Sequence, residues 1–104
     1  MIERQRLPAR RPSITFQFEL HGLRYTASFS RFPNSDRIAE IFLQNHKPSS
    51  QSDSNGRDAA VAASLALQYG CPLEALQRAV LRDANGQAST PLGAAIDLIC
   101  GGER

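Results

Sequence analysis

With 104 residues, 41% of them hydrophobic and 21% charged, the chain has the composition of one ordinary globular domain rather than of a disordered or fibrous protein. A domain of this length buries about 60–70% of its unfolded surface, which is enough for one core and not for two. The net charge of +2 excludes a strongly basic or acidic protein, but eleven of the twelve basic residues are Arg and Lys47 is the only lysine.

Residues 1–12 are polar, basic and broken by Pro8 and Pro12. They read as a flexible basic lead-in to a single domain over residues 13–102. Four arginines fall in it: Arg4, Arg6, Arg10 and Arg11. They are either a compositional bias in an exposed arm or a contact for nucleic acid or an acidic partner. Alternation follows. Ile14, Phe16, Phe18 and Leu20 share one parity, which predicts a half-buried strand. His21-Gly22 is a tight turn, with Gly supplying positive φ. Leu23, Tyr25, Ala27 and Phe29 alternate again and complete a hairpin with one apolar face. After the turn cluster at Phe32–Asp36, the nearly continuous apolar run from Ile38 to Leu43 is expected to be the central and most buried strand. The stretch from Pro48 to Gly56 is expected to be a polar loop.

From about Asp53 the period becomes helical. Val61, Leu65 and Tyr69, with Ala62 and Ala66 beside them, are the expected buried stripe. Gly70 is the C-cap. Cys71-Pro72 restarts a second helix with Pro at its first position, burying Leu73, Leu76 and Val80. Asn85-Gly86 is a turn. Ser89 or Thr90 then caps a third helix with Pro91 at its first position, and Leu92, Ala95, Ile96 and Ile99 form its apolar stripe. The fold class is therefore α+β, in the order βββααα. A three-stranded antiparallel sheet carries three helices packed on one face.

Little in this pattern points to catalysis. His21 and His46 are the only histidines, and His21 falls in a turn. Cys71 and Cys100 form no CxxC pair and read as free thiols, with Cys71 the more reactive because it lies at a predicted helix N-terminus. The expectation is no metal, no cofactor and no catalytic residue. The absence of an apolar leader and of any long apolar segment implies a cytoplasmic protein without a membrane partner. The candidate ligand site is the exit of the third strand, Asn45, His46 and Lys47, together with Arg57 at the start of the next helix, where anions bind.

The segment Ile38–Leu76 resembles a stretch near the C-terminus of adenosylcobalamin-dependent ribonucleotide reductases, the TSCPD-type domain. The resemblance rests on Glu40-Ile41-Phe42, His46-Lys47, Ser64-Leu65-Ala66-Leu67-Gln68-Tyr69-Gly70 and Pro72-Leu73-Glu74. The nearest counterpart of the motif that names the domain is Ser89-Thr90-Pro91-Leu92, in which Thr90 replaces the cysteine and Leu92 the aspartate. The resemblance implies a stand-alone accessory domain without the catalytic barrel, the radical-bearing cysteine or the cobalamin site. Such a domain is expected to bind a nucleotide or a protein partner, as a monomer or a homodimer. A small nucleic-acid-binding protein using the Arg-rich arm is the alternative.

Overall fold

The computed structural model describes residues 3–9 and 11–101. The alternation builds β1 (Ile14–Leu20), β2 (Leu23–Arg31) and β3 (Ile38–Asn45). They form one antiparallel sheet in the order β1-β2-β3. The helices follow as α1 (Gln51–Gln68), α2 (Leu73–Ala79) and α3 (Pro91–Gly101). The βββααα order stands. At the hairpin, His21 (φ 53°) and Gly22 (φ 79°) both lie in the left-handed region, as a two-residue type I′ turn requires.

The core fills the face shared by the odd positions of β2 and β3, joined by Ile38 beyond the register shift at Ser30/Arg31. Phe29, Ile38, Ile41, Leu67, Leu73, Ile96 and Ile99 meet there, with Leu76, Val80 and Cys100 at the rim. The predicted stripes of α2 and α3 thus point inward. Thr90 is the cap of α3, its Oγ1 accepting from Gly93 N–H at 3.2 Å. Arg82 holds α2 to α3 by a two-pronged bond to Asp97, with Nη1 and Nη2 each 2.8 Å from a carboxylate oxygen.

Four expectations are corrected. The central strand is β2, not β3. The β3 run reads as nearly continuous because Phe42, exposed on the other face, sits between buried Ile41 and Leu43. The segment expected to be a loop up to Gly56 is already helix from Gln51, with Ser50 as N-cap accepting from Asp53 N–H. Serine, aspartate and asparagine here cap and open a helix rather than extend a loop. Pro72 is the N-cap of α2, one position before the expected one.

The fourth correction concerns α1. Val61, Leu65 and Tyr69 are exposed, at 56, 39 and 46%. The buried side is Asp53, Gly56, Ala60, Ala63, Leu67 and Gln68. The physical reason lies in β3. Pairing with β2 leaves every second backbone group of β3 facing outward, toward α1. Those groups need partners. Asp53 Oδ1 accepts from Asn45 N–H at 2.9 Å. Ser64 Oγ accepts from Ile41 N–H at 2.9 Å and donates to Ile41 C=O at 3.0 Å. Gln68 Nε2 donates to Ala39 C=O at 3.2 Å. Short polar side chains reach the strand only if the helix comes close, and small residues permit that. A Cβ on Gly56 would stand 4.0 Å from Leu43 Cβ.

Ser64 therefore satisfies two backbone groups at once. Ser64→Val removes both partners and is expected to cost about 1–3 kcal/mol. Ser64→Thr, which keeps the hydroxyl, is expected to cost less. Urea midpoints of the two variants against the parent check this.

Candidate functional site

Strand parity sends the even positions of β2 and β3 to the face without helices. Thr26, Ser28, Phe42 and Gln44 stand there side by side, because Thr26 pairs with Gln44 and Ser28 with Phe42. The flank of α1 rises beside them, with Val61 and Leu65 facing the sheet edge. Between the two runs an open trough of about 660 Å³. Arg57 stands at one end and Arg4 at the other. Phe42 is 51% exposed. The trough thus offers an aromatic face, an aliphatic wall, hydroxyl and amide groups, and a cation at each end. Glu40 also lines it, but that carboxylate is already spoken for.

Glu40 is 6% exposed. Arg11 grips it with two nitrogens, Nε on Oε1 and Nη2 on Oε2, the latter at 2.8 Å. Ser30 Oγ donates to Oε1 at 2.7 Å. Burial pushes this carboxyl up, but the Arg11 and Ser30 hydrogen bonds and the Arg11 charge outweigh it and hold it below the ordinary glutamate range.

The four residues expected at the strand exit divide. Asn45 is buried, at 2% exposure, and its Oδ1 accepts from Lys47 N–H at 2.7 Å. Its Nδ2 is without a hydrogen-bond partner among the described residues. His46 lies on the open face, its Nε2 2.9 Å from Thr26 Oγ1. Lys47 is exposed just past the strand. Arg57 Nε donates to Asp53 Oδ2 at 2.9 Å. The hydrogen bond from Asn45 N–H, then those from Arg57 and Ser49 with the Arg57 charge, hold the Asp53 carboxyl below its usual range against the effect of burial. One aspartate thus ties Asn45 and Arg57 together through its two oxygens, while His46 points to the other face of the sheet.

The arm's arginines also differ among themselves. Arg4 Nε donates to Gln68 Oε1 at 2.7 Å, and Gln5 N–H donates to Gln68 C=O at 2.8 Å. Arg11 holds Glu40. Arg6 is exposed. Arg10 lies outside the described residues. Cys71 and Cys100 are each half-buried, and both line a separate cavity below the turn that leads into β3. No group of three or more His, Cys, Asp or Glu among the described residues is arranged to hold a metal. No helix among them is long and apolar enough to cross a membrane.

Reading the sequence missed Phe42, Val61 and Leu65 as surface residues. The signal was the parity of β3: Phe42 has the parity of Gln44 and His46, opposite to Ile41 and Leu43.

Comparison with known proteins relates the sequence to a part of much longer ones. Over 71 residues, 68% of this chain, it is 37% identical to the vitamin B12-dependent ribonucleotide reductase of Streptantibioticus cattleyicolor, covering 12% of that protein. The same identity and share of this chain relate it to the enzyme of Streptomyces clavuligerus, of which it covers 7%. The enzyme of Agrobacterium fabrum is 38% identical over 72 residues, covering 69% of this chain and 6% of the enzyme. The chain is related to a part of the vitamin B12-dependent ribonucleotide reductases. It spans only a small fraction of the length of these reductase relatives. No family model matches it, and neither does any solved structure.

The Arg11–Glu40 pair anchors the residues before β1 to the face that carries the trough. Arg11→Gln leaves Glu40 buried without its cation and is expected to cost about 3 kcal/mol at neutral pH. Because the folded pKa of Glu40 is lowered, the pair's contribution is complete above the ordinary glutamate pKa of about 4.3 and is lost as pH falls through the lower folded value. Urea unfolding of parent and variant between pH 3 and 7 is expected to show the two curves converging at the acid end.

Proposed function

We propose that the chain is a reductase-related binding domain that holds a nucleotide in the trough between β3 and α1, acting by binding rather than by catalysis. The observation that carries this is Phe42, an aromatic ring left 51% exposed on an otherwise polar sheet face. Thr26, Ser28 and Gln44 surround it, and Arg57 stands at the trough's end. A base stacks on the ring, which is sequence-tolerant chemistry. Hydroxyl and amide groups take the base or sugar edges. Arg57 takes a phosphate with the nitrogens not bonded to Asp53. The trough falls in the size range of ordinary small-ligand sites. The relatives' name supports the ligand class, since those enzymes act on ribonucleotides.

A second reading has its own observation. Val61, Leu65 and Tyr69 form an exposed apolar row one helical turn apart, which suits a protein partner.

Thermal shifts against ribonucleotides, deoxyribonucleotides, cobalamins and short RNA at two salt concentrations test the reading. A nucleotide is expected to stabilise the parent at both salts, by about 2.7 kcal/mol at a hundred times its Kd. Phe42→Ala is expected to weaken binding by about 1–3 kcal/mol, and Arg57→Ala to weaken phosphate-bearing ligands only. Stabilisation of the parent by no nucleotide overturns the proposal. Stabilisation by RNA that vanishes at high salt points to the arginine arm instead.

A further inference from the structure

The sheet has two outer edges, and they are treated differently. Along β3, α1 supplies Asp53, Ser64 and Gln68 to the outward backbone groups. Along β1 nothing comparable is present among the described residues. The two-residue turn makes Leu20 and Leu23 the closing pair, so Leu20, Phe18, Phe16 and Ile14 exchange hydrogen bonds with β2. The N–H and C=O of Thr15, Gln17 and Glu19 therefore face outward. Among the described residues, no backbone hydrogen bond outside the sheet reaches β1.

Nor is the edge blunted. Strand edges are usually guarded by proline, lysine, a bulge or an inward charge. The strand Ile-Thr-Phe-Gln-Phe-Glu-Leu contains no proline or lysine, and its charged residue points to the open face. Its register against β2 runs through seven pairs without a shift. Its core-facing row is left half covered: Ile14 is 51% exposed, and Phe16, Phe18 and Leu20 are only partly buried.

We infer that β1 is a homodimer interface, where the β1 strands of two copies pair antiparallel about a twofold axis through Gln17. The inference is independent of the nucleotide reading. It rests on self-complementarity. With Gln17 opposite its own copy, Thr15 faces Glu19 of the second copy, and these are the residues whose backbone groups face outward, so the hydrogen-bonding phase is correct. On the core side Ile14 faces Leu20 and Phe16 faces Phe18, which covers the half-exposed row. No like charges oppose one another, because Glu19 lies opposite threonine. The twofold axis is perpendicular to the sheet, so core face continues core face into a six-stranded sheet.

Sedimentation velocity from about 1 to 200 μM tests this, with amide hydrogen exchange on the same samples. The parent is expected to shift with concentration from 11.4 kDa to twice that mass. Thr15→Glu sets carboxylates against Glu19 at two symmetric places and is expected to weaken association roughly tenfold. Thr15→Glu/Glu19→Lys restores opposite charges and is expected to recover it. Circular dichroism establishes that each variant is folded. In the dimer the amides of Thr15, Gln17 and Glu19 become protected, whereas those of Phe16 and Phe18 are protected in both states. A parent that stays monomeric at 200 μM overturns the inference. So does a dimer that ignores both variants and leaves the three amides unprotected.

Discussion

The structure depends on the outer edge of β3. A strand on the rim of a sheet exposes backbone groups that must be bonded to something. In this protein they are bonded to side chains of the next helix, at Ala39, Ile41 and Asn45. That arrangement dictates the composition of α1. The side toward the strand has to be small, hence Gly56, Ala60 and Ala63, and has to carry polar atoms at intervals, hence Asp53, Ser64 and Gln68. Val61, Leu65 and Tyr69 are left for the outside, while Leu67 alone of the large apolar residues on α1 enters the core. An amphipathic helix would ordinarily turn Val61, Leu65 and Tyr69 inward. Here the demand for close approach reverses it.

The trough is the by-product of that reversal. Had α1 buried its larger residues, its flank would be polar and the neighbouring sheet face would have no apolar wall. Instead Val61 and Leu65 stand beside Phe42, and the two polar ends of the helix segment bring Arg57 and Gln68 to the trough's limits. Gln68 in turn holds Arg4. The same aspartate that satisfies the end of β3 also orients Arg57. Structural and ligand-facing roles are thus joined at single residues, so a change at Asp53 disturbs both.

The strands, the hairpin turn, the order of elements and the stripes of α2 and α3 were legible in the sequence, because each follows a local period or a turn residue. Ile14 to Phe29 alternates cleanly, and Leu92 to Ile99 keeps helical spacing. The face of α1 was not legible. Its spacing is consistent with two faces, and size favoured the wrong one; only the unmet bonds of a strand elsewhere in the chain decide between them. The same limit hid Phe42, whose parity is masked by the buried apolar neighbours on both sides. At the strand exit, the sequence placed Asn45, His46, Lys47 and Arg57 near one another, but adjacent strand residues point to opposite faces, which separates Asn45 from His46.

The route of the chain before β1 has a kinetic consequence. Each strand pairs with its sequence neighbour, and α1 begins six residues after β3 ends, so the sheet and α1 close short loops. Local pairings of this kind form quickly. The Arg11–Glu40 and Arg4–Gln68 bonds instead join residues 29 and 64 positions apart. Their closure costs more chain entropy, by about 0.6 kcal/mol per doubling of the loop, and it needs β3 and the end of α1 already in place. The arm can therefore dock only on a formed β3 and α1, which carry Glu40 and Gln68. The trough, which borrows Arg4 from it, is completed only after both elements that wall it are in place.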